Sequence, residues 1–296
     1  MNLTRWILVV AGVLVILPMI IAAIFQFINL PNYTLKVNRT ESTKLNLVQH
    51  GAIDSKETVL LIHGLGASSK CWQGQISHLS THFNVMTVDL YGHGSNTNLP
   101  DKINIKKTAD NLNNQLREKD FERINVIGHS LGGLIAIEMA RQETSLIDKL
   151  ILLDTPTKQM GLANLSMVQY LNLKLIETNY ETVIREHYKK MTTNAQLLER
   201  LLEVAEETDK YAYYSYFKSI FKTDLSETIQ ELNINTYLFL TKTLVNKESK
   251  LTKVKKKYGY DNISENHTYY YPDSGHFLML EKVEKFNNDL TQILSE

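Results

Sequence analysis

Ile124-Asn125-Val126-Ile127-Gly128-His129-Ser130-Leu131-Gly132-Gly133-Leu134-Ile135-Ala136-Ile137-Glu138-Met139-Ala140 reads as an apolar strand, a glycine-bracketed serine and an apolar helix in succession. Strand, Gly-x-Ser-x-Gly, helix is the context in which a serine can sit at the tip of a very sharp turn. Such a turn needs neighbours almost without side chains; Gly128 and Gly132 supply that, and Gly133 lets the helix approach the sheet. The turn aims the Ser130 hydroxyl out of the fold and sets the Leu131 N–H beside it at the helix N-terminus. Ser130 is therefore the candidate nucleophile.

On either side, apolar runs and helical patterns alternate. Residues 33–37 and 45–49 read as a hairpin, 59–62 and 83–88 as strands, 71–79 and 105–116 as helices, and 150–153 as a further strand. Strands that are apolar throughout and alternate with helices indicate a parallel sheet covered on both faces. From 155 to 228 the strand signal disappears, and Leu197, Leu198, Leu201, Leu202 and Ala205 fall at helical spacing, with Glu199, Glu203 and Glu206 opposite. The sheet resumes with 236–240, a lysine-rich helix, 268–271 and a last helix over 283–294. The expected organisation is a segment 1–31, a core over 32–154, a helical insertion over 155–228 and the rest of the core over 229–296.

The first segment has its own physics. Residues 6–25 are uncharged and almost wholly apolar, interrupted only by Gly12 and Pro18. At about 1.5 Å per residue they match a hydrocarbon layer roughly 30 Å thick. A transmembrane anchor, a cleaved signal peptide and a buried core helix compete. Length favours the anchor, since Ile21-Ala22-Ala23 is a poor cleavage site and core helices are rarely apolar all round. Arg5 argues for a cytoplasmic N-terminus and an extracytoplasmic domain, whereas Lys36, Arg39 and Lys44 pull the other way. The expectation is a single-pass membrane protein with its domain on the extracytoplasmic side.

Composition removes other classes. The 296 residues are 43% hydrophobic and 22% charged, with 32 basic and 32 acidic side chains, so no net field draws nucleic acid. Cys71 is the single cysteine, which rules out an intramolecular disulfide. There is no phosphate-binding glycine loop and no cluster of metal ligands, so neither a cofactor nor a metal is expected.

Three further motifs fall at strand ends: His63-Gly64-Leu65-Gly66, Asp89-Leu90-Tyr91-Gly92-His93-Gly94 and Asp273-Ser274-Gly275-His276-Phe277. With the serine turn they make the chain, from about residue 57 onward, resemble the α/β-hydrolase superfamily, in its branch of cap-bearing esterases and C–C bond hydrolases. The resemblance implies a mostly parallel eight-stranded sheet with helices on both faces and a helical cap inserted after the sixth strand. It implies Ser130 as nucleophile and His276 as the base that a serine hydroxyl requires. It also implies an oxyanion hole of the Leu65 and Leu131 backbone N–H groups. His63, His93 and His129 are then turn and packing residues.

The usual Gly-x-x-Asp after the seventh strand is missing here, where the chain reads Leu240-Thr241-Lys242-Thr243-Leu244-Val245-Asn246. Two carboxylates can replace it: Asp154, closing the strand at 150–153, and Glu248, near the usual interval before the histidine. A site without an acid is the third option. The expected activity is hydrolysis of a small-molecule carboxylic ester, lipid-like or with an apolar acyl group. The aromatic run Tyr211, Tyr213, Tyr214, Tyr216, Phe217 and Phe221 would line an acyl pocket or pack cap against core. The alternatives are C–C bond hydrolysis and a weakly catalytic ligand-binding role.

Overall fold

The computed structural model describes residues 30–51, 57–119, 121–159 and 166–296. The apolar stretch 6–25 lies outside them, and no helix of the described residues is long and apolar enough to cross a membrane. Seven strands form one sheet: β1 (Asn46–His50), β2 (Thr58–Ile62), β3 (Asn84–Asp89), β4 (Ile124–His129), β5 (Ile147–Leu153), β6 (Asn235–Thr241) and β7 (Thr268–Tyr271). Their order is β1-β3-β2-β4-β5-β6-β7, with β1 antiparallel to β3 and every other pairing parallel.

The central strands are buried at every position, and alternate side chains feed two separate cores. Leu60, Ile62, Val126, Leu150 and Leu152 face one side, under α2 (Ile105–Arg117) and α3 (Leu131–Gln142). Val59, Leu61, Ile127, Ile151 and Phe239 face the other, covered by α1 (Gln73–Leu79) and the C-terminal helix. Strand order reverses between β3-β2 and β4-β5, so the crevice beyond the C-terminal ends of β2 and β4 lies at a switch point, where open α/β sheets bind ligands.

The insertion comprises α4 (Ser166–Thr178), α5 (Tyr180–Tyr188), α6 (Ala195–Glu206), α7 (Lys210–Lys222) and α8 (Ser226–Glu231). Its two ends are tied together: Leu225 N–H donates to the Thr157 carbonyl at 3.0 Å, and Lys158 Nζ to Ser226 Oγ at 2.9 Å. After β6 come α9 (Leu251–Lys257), α10 (Leu278–Glu281) and α11 (Val283–Leu294).

Two expectations are corrected. The sheet has seven strands among the described residues rather than eight, because residues 33–37 do not pair with β1. Tyr33 instead sets its ring edge-on against Tyr211 and Tyr214 of α7, at 5.5 and 5.1 Å. The Pro31 carbonyl accepts from the Tyr214 hydroxyl at 2.6 Å. Partners on the insertion thus satisfy this segment in place of a sheet ladder. In consequence the insertion follows the fifth strand of this sheet, not the sixth.

Candidate active site

Ser130 and Asp154 are the only non-glycine residues with positive φ among the described residues, at 52° and 44°. Both sit directly after a strand, β4 and β5, and the sheet itself holds them there. Ser130 N–H donates to the Leu153 carbonyl at 2.9 Å, and Asp154 N–H to the Phe239 carbonyl at 2.8 Å. Such backbone costs of order 1–3 kcal/mol per residue and persists only where its surroundings over-determine it. The glycines around Ser130 are required by space: a Cβ on Gly128 would come within 2.5 Å of the Gly132 carbonyl oxygen, and one on Gly132 within 2.2 Å of that of Ile62.

Asp154 is fully buried and accepts two hydrogen bonds: Thr241 N–H reaches Oδ1 at 2.9 Å, and His276 Nδ1 lies 2.7 Å from Oδ2. An ionised carboxylate only accepts, so Nδ1 carries the proton and Nε2 presents its lone pair. His276 is held by its backbone as well. Its N–H donates to the Met191 carbonyl at 2.7 Å, and its own carbonyl accepts from His129 Nε2 at 3.0 Å. Glu248 lies on an exposed turn ahead of α9 and makes no bond to His276. Of the two candidate acids, the structure joins Asp154 alone to the histidine.

Ser130 and His276 line one cavity of about 330 Å³ with Leu65 and Leu131. No hydrogen bond joins the serine hydroxyl to His276 among the described residues; such contacts often tighten only when substrate is bound. The Leu65 and Leu131 N–H groups have no acceptor within the described residues, as oxyanion donors require. The peptide that follows Leu65 is held at both its carbonyl and its N–H. Its carbonyl accepts from the Tyr188 hydroxyl at 2.9 Å, and the next N–H, of Gly66, donates to His93 Nε2 at 3.1 Å.

These pins are not legible in the sequence because their partners lie far away in the chain; the resemblance implies only that His93 is a turn residue. The aromatic run divides: Tyr213, Phe217 and Phe221 reach the cavity, whereas Tyr211 and Tyr216 pack into the core under α2.

His63, His93 and His129 are buried and act as neutral rings. His63 Nε2 accepts from Leu90 N–H at 3.1 Å while Nδ1 donates to the Gly64 carbonyl; His93 Nδ1 donates to the Tyr91 carbonyl at 2.8 Å. Burial lowers all three pKa values; for His93 burial and then the neighbouring His63 push it down to about 3. Asp89 anchors the adjoining turn. Burial works against its charge, but Ser69 N–H and the Ser95 N–H and hydroxyl outweigh that and hold its pKa low.

Unfolding frees the three imidazoles to take up protons, so their contribution to stability is expected to be constant above the ordinary histidine value of 6.5 and stability to fall as pH drops from there toward about 3. The urea midpoint followed against pH checks this. A midpoint as high at about pH 5 as at about pH 7.5 would contradict burial of neutral rings.

The alpha/beta hydrolase fold family matches residues 57–283. Among curated proteins, an uncharacterized protein of Mycobacterium tuberculosis is 38% identical over 33% of this chain and 29% of its own length. The putative carbamate hydrolase RutD of Agrobacterium fabrum is 37% identical over 37% of this chain and 42% of its own. The chain thus spans well under half the length of these relatives. Two solved structures are alike over nearly the whole fold. The esterase from Exiguobacterium antarcticum has a TM-score of 0.75 at 17% identity, over 87% of this chain and 98% of that one. The enol-lactonase from Burkholderia xenovorans LB400 has 0.71 at 19%, over 85% and 96%. With a family match over most of its length and a sheet, serine turn and histidine loop arranged as described, this chain belongs to the alpha/beta hydrolase fold family.

Proposed function

We propose that the protein is a serine hydrolase of neutral carboxylic esters with an apolar acyl group, held at a membrane by residues 6–25 with its domain on the extracytoplasmic side. The observation that carries the activity is the hydrogen bond from buried Asp154 to His276, a wall residue of the cavity that also holds Ser130 and two unpaired amides. In this reading Ser130 Oγ attacks the ester carbonyl and gives its proton to His276 Nε2, while Asp154 stabilises the imidazolium. The Leu65 and Leu131 N–H groups take the oxyanion. The intermediate collapses to an acyl-serine as His276 protonates the departing alcohol. Water, deprotonated by the same imidazole, then releases the acid and restores the serine.

The cavity favours this substrate over the alternatives. Leu134, Met191, Phe217, Ile220, Phe221 and Leu244 line it, and no described lining residue is a lysine, arginine, aspartate or glutamate. At about 330 Å³ it is at the small end of ligand pockets, roughly 300–1,000 Å³. A dienoate for C–C cleavage is anionic, and burying its carboxylate without a partner is costly. The (E)-2-((N-methylformamido)methylene)succinate hydrolase of Acinetobacter baylyi, 24% identical over 57% of this chain, acts by its name on a succinate; the described lining here includes no lysine or arginine for one. A purely ligand-binding role rests on the lost carboxylate after β6, and Asp154 supplies a carboxylate from β5. The anchor is supported by the length and charge-free character of residues 6–25.

Rapid mixing with p-nitrophenyl esters of increasing acyl length tests the activity. A burst of one p-nitrophenol per chain is expected, with kcat/KM rising with acyl length until the cavity is filled. Turnover of a ring-cleavage dienoate without ester turnover would overturn the proposal.

A further inference from the structure

Among the described residues four large apolar side chains are exposed by 40% or more: Leu35, Val48, Leu171 and Leu175. Val48 lies on β1, at the sheet edge. Of the other three, two lie on α4 and one on the segment that is hydrogen-bonded to that helix. Leu171 and Leu175 stand one turn apart on α4, on the face turned away from the buried Leu173 and Ile176. Leu35 ends a segment tied to the same helix. The Thr34 amide and hydroxyl both donate to Glu177 Oε1, at 2.6 and 3.3 Å. Just upstream, the Pro31 carbonyl accepts from Lys218 Nζ of α7 at 2.6 Å. A surface helix normally turns polar side chains to water, so leucines on that face call for a partner.

The chain outside the described residues says which partner. Residues 6–25 are uncharged and apolar, and only five peptide steps separate Phe25 from Leu30, a reach of at most about 18 Å. Wherever the apolar stretch is held, this face of the cap is held beside it. Charge agrees: a groove of about 700 Å³ bordered by Asn32 and Tyr33 is lined by Arg39, Lys106, Arg141, Lys218 and Lys222 against Glu138 and Asp224. Arg141 is occupied by Glu138 at 2.6 Å, and the other cations remain in excess over Asp224. Apolar side chains beside a cationic rim match a bilayer interface with anionic head groups.

We propose that Leu35, Leu171 and Leu175, flanked by Lys218 and Lys222, dock this face of the cap onto an anionic phospholipid bilayer. The inference rests on the anchor reading and deepens the substrate assignment. Asn172, next to Leu171 on α4, lines the cavity that holds Ser130. The docked helix therefore stands between bilayer and serine, and the ester is one resident in the membrane.

The test uses the full chain in vesicles of phosphatidylcholine and phosphatidylglycerol. A nitrobenzoxadiazole label goes on Leu171→Cys, Leu175→Cys or, as control, Glu122→Cys, which is exposed at the far end of β4 from Ser130. The native Cys71 is buried. Doxyl lipids are expected to quench the labels at 171 and 175 at least about threefold more than the label at 122. Equal quenching at all three sites, with the protein still floating with the vesicles, would overturn docking and leave the anchor standing. Failure to float would overturn both. Disulfide cross-linking of two chains through position 175, with no lipid quenching, would identify a second copy as the occupant and overturn the membrane assignment. Leu171→Asp/Leu175→Asp should lower hydrolysis of a vesicle-embedded ester about tenfold relative to a dissolved short-chain ester. An equal loss on both would overturn the proposed membrane-resident substrate while leaving the quenching result to stand alone.

Discussion

Ser130→Ala is expected to lower kcat for ester hydrolysis by about 10⁶-fold, the scale seen when the nucleophile of another serine hydrolase is removed. A fluorophosphonate probe should label the native chain and not the variant. The fold should survive, because the hydroxyl makes no hydrogen bond among the described residues and alanine has the smaller side chain. Ser130→Gly sharpens the test. With φ at 52° a glycine relieves strain that serine and alanine both bear, so this variant should be equally inactive yet melt at a higher temperature. Labelling that persists in either variant would place the nucleophile elsewhere.

Asp154→Asn is expected to lower kcat by about 10⁴-fold, by analogy with the triad aspartate of a serine protease. The asparagine carbonyl can still accept from Thr241 N–H, and asparagine tolerates the φ of 44°, so the protein should fold. The amide nitrogen, however, would donate to His276 Nδ1 where the carboxylate accepted. That moves the ring proton to Nε2 and removes the lone pair that takes the serine proton. Glu248→Gln, on an exposed turn, should change kcat less than twofold on this scale. Kinetics of both variants on one ester decide between them. A crippled Glu248→Gln beside a near-native Asp154→Asn would reverse the assignment.

Much of this was legible in the chain because the signals are local. The glycine-serine turn depends on residues within six positions, and a Cβ built on Gly128 or Gly132 meets backbone belonging to the turn or to the neighbouring β2. Strand β7 and helix α11 coincide with the stretches expected from patterning, 268–271 and 283–294, because their apolar faces are nearly unbroken. What was not legible depends on partners far away in sequence. Tyr33 alternates like a strand residue, yet its neighbours are Tyr211 and Tyr214. Asp154 and Glu248 are both plausible by spacing. Only the ladder that carries Asp154 beyond β5, toward Thr241 and His276, separates them.

Placing the carboxylate on β5 has a consequence for how the protein can change. In the proposed mechanism the turn after β6 is left without a proton-handling duty, yet Thr243 and Leu244 border the cavity. That mechanism puts chemistry and selectivity on separate loops. Random replacement at 243 and 244 should redistribute preference among substrates without extinguishing turnover, so that turn is a natural starting point for drift or directed evolution toward new esters.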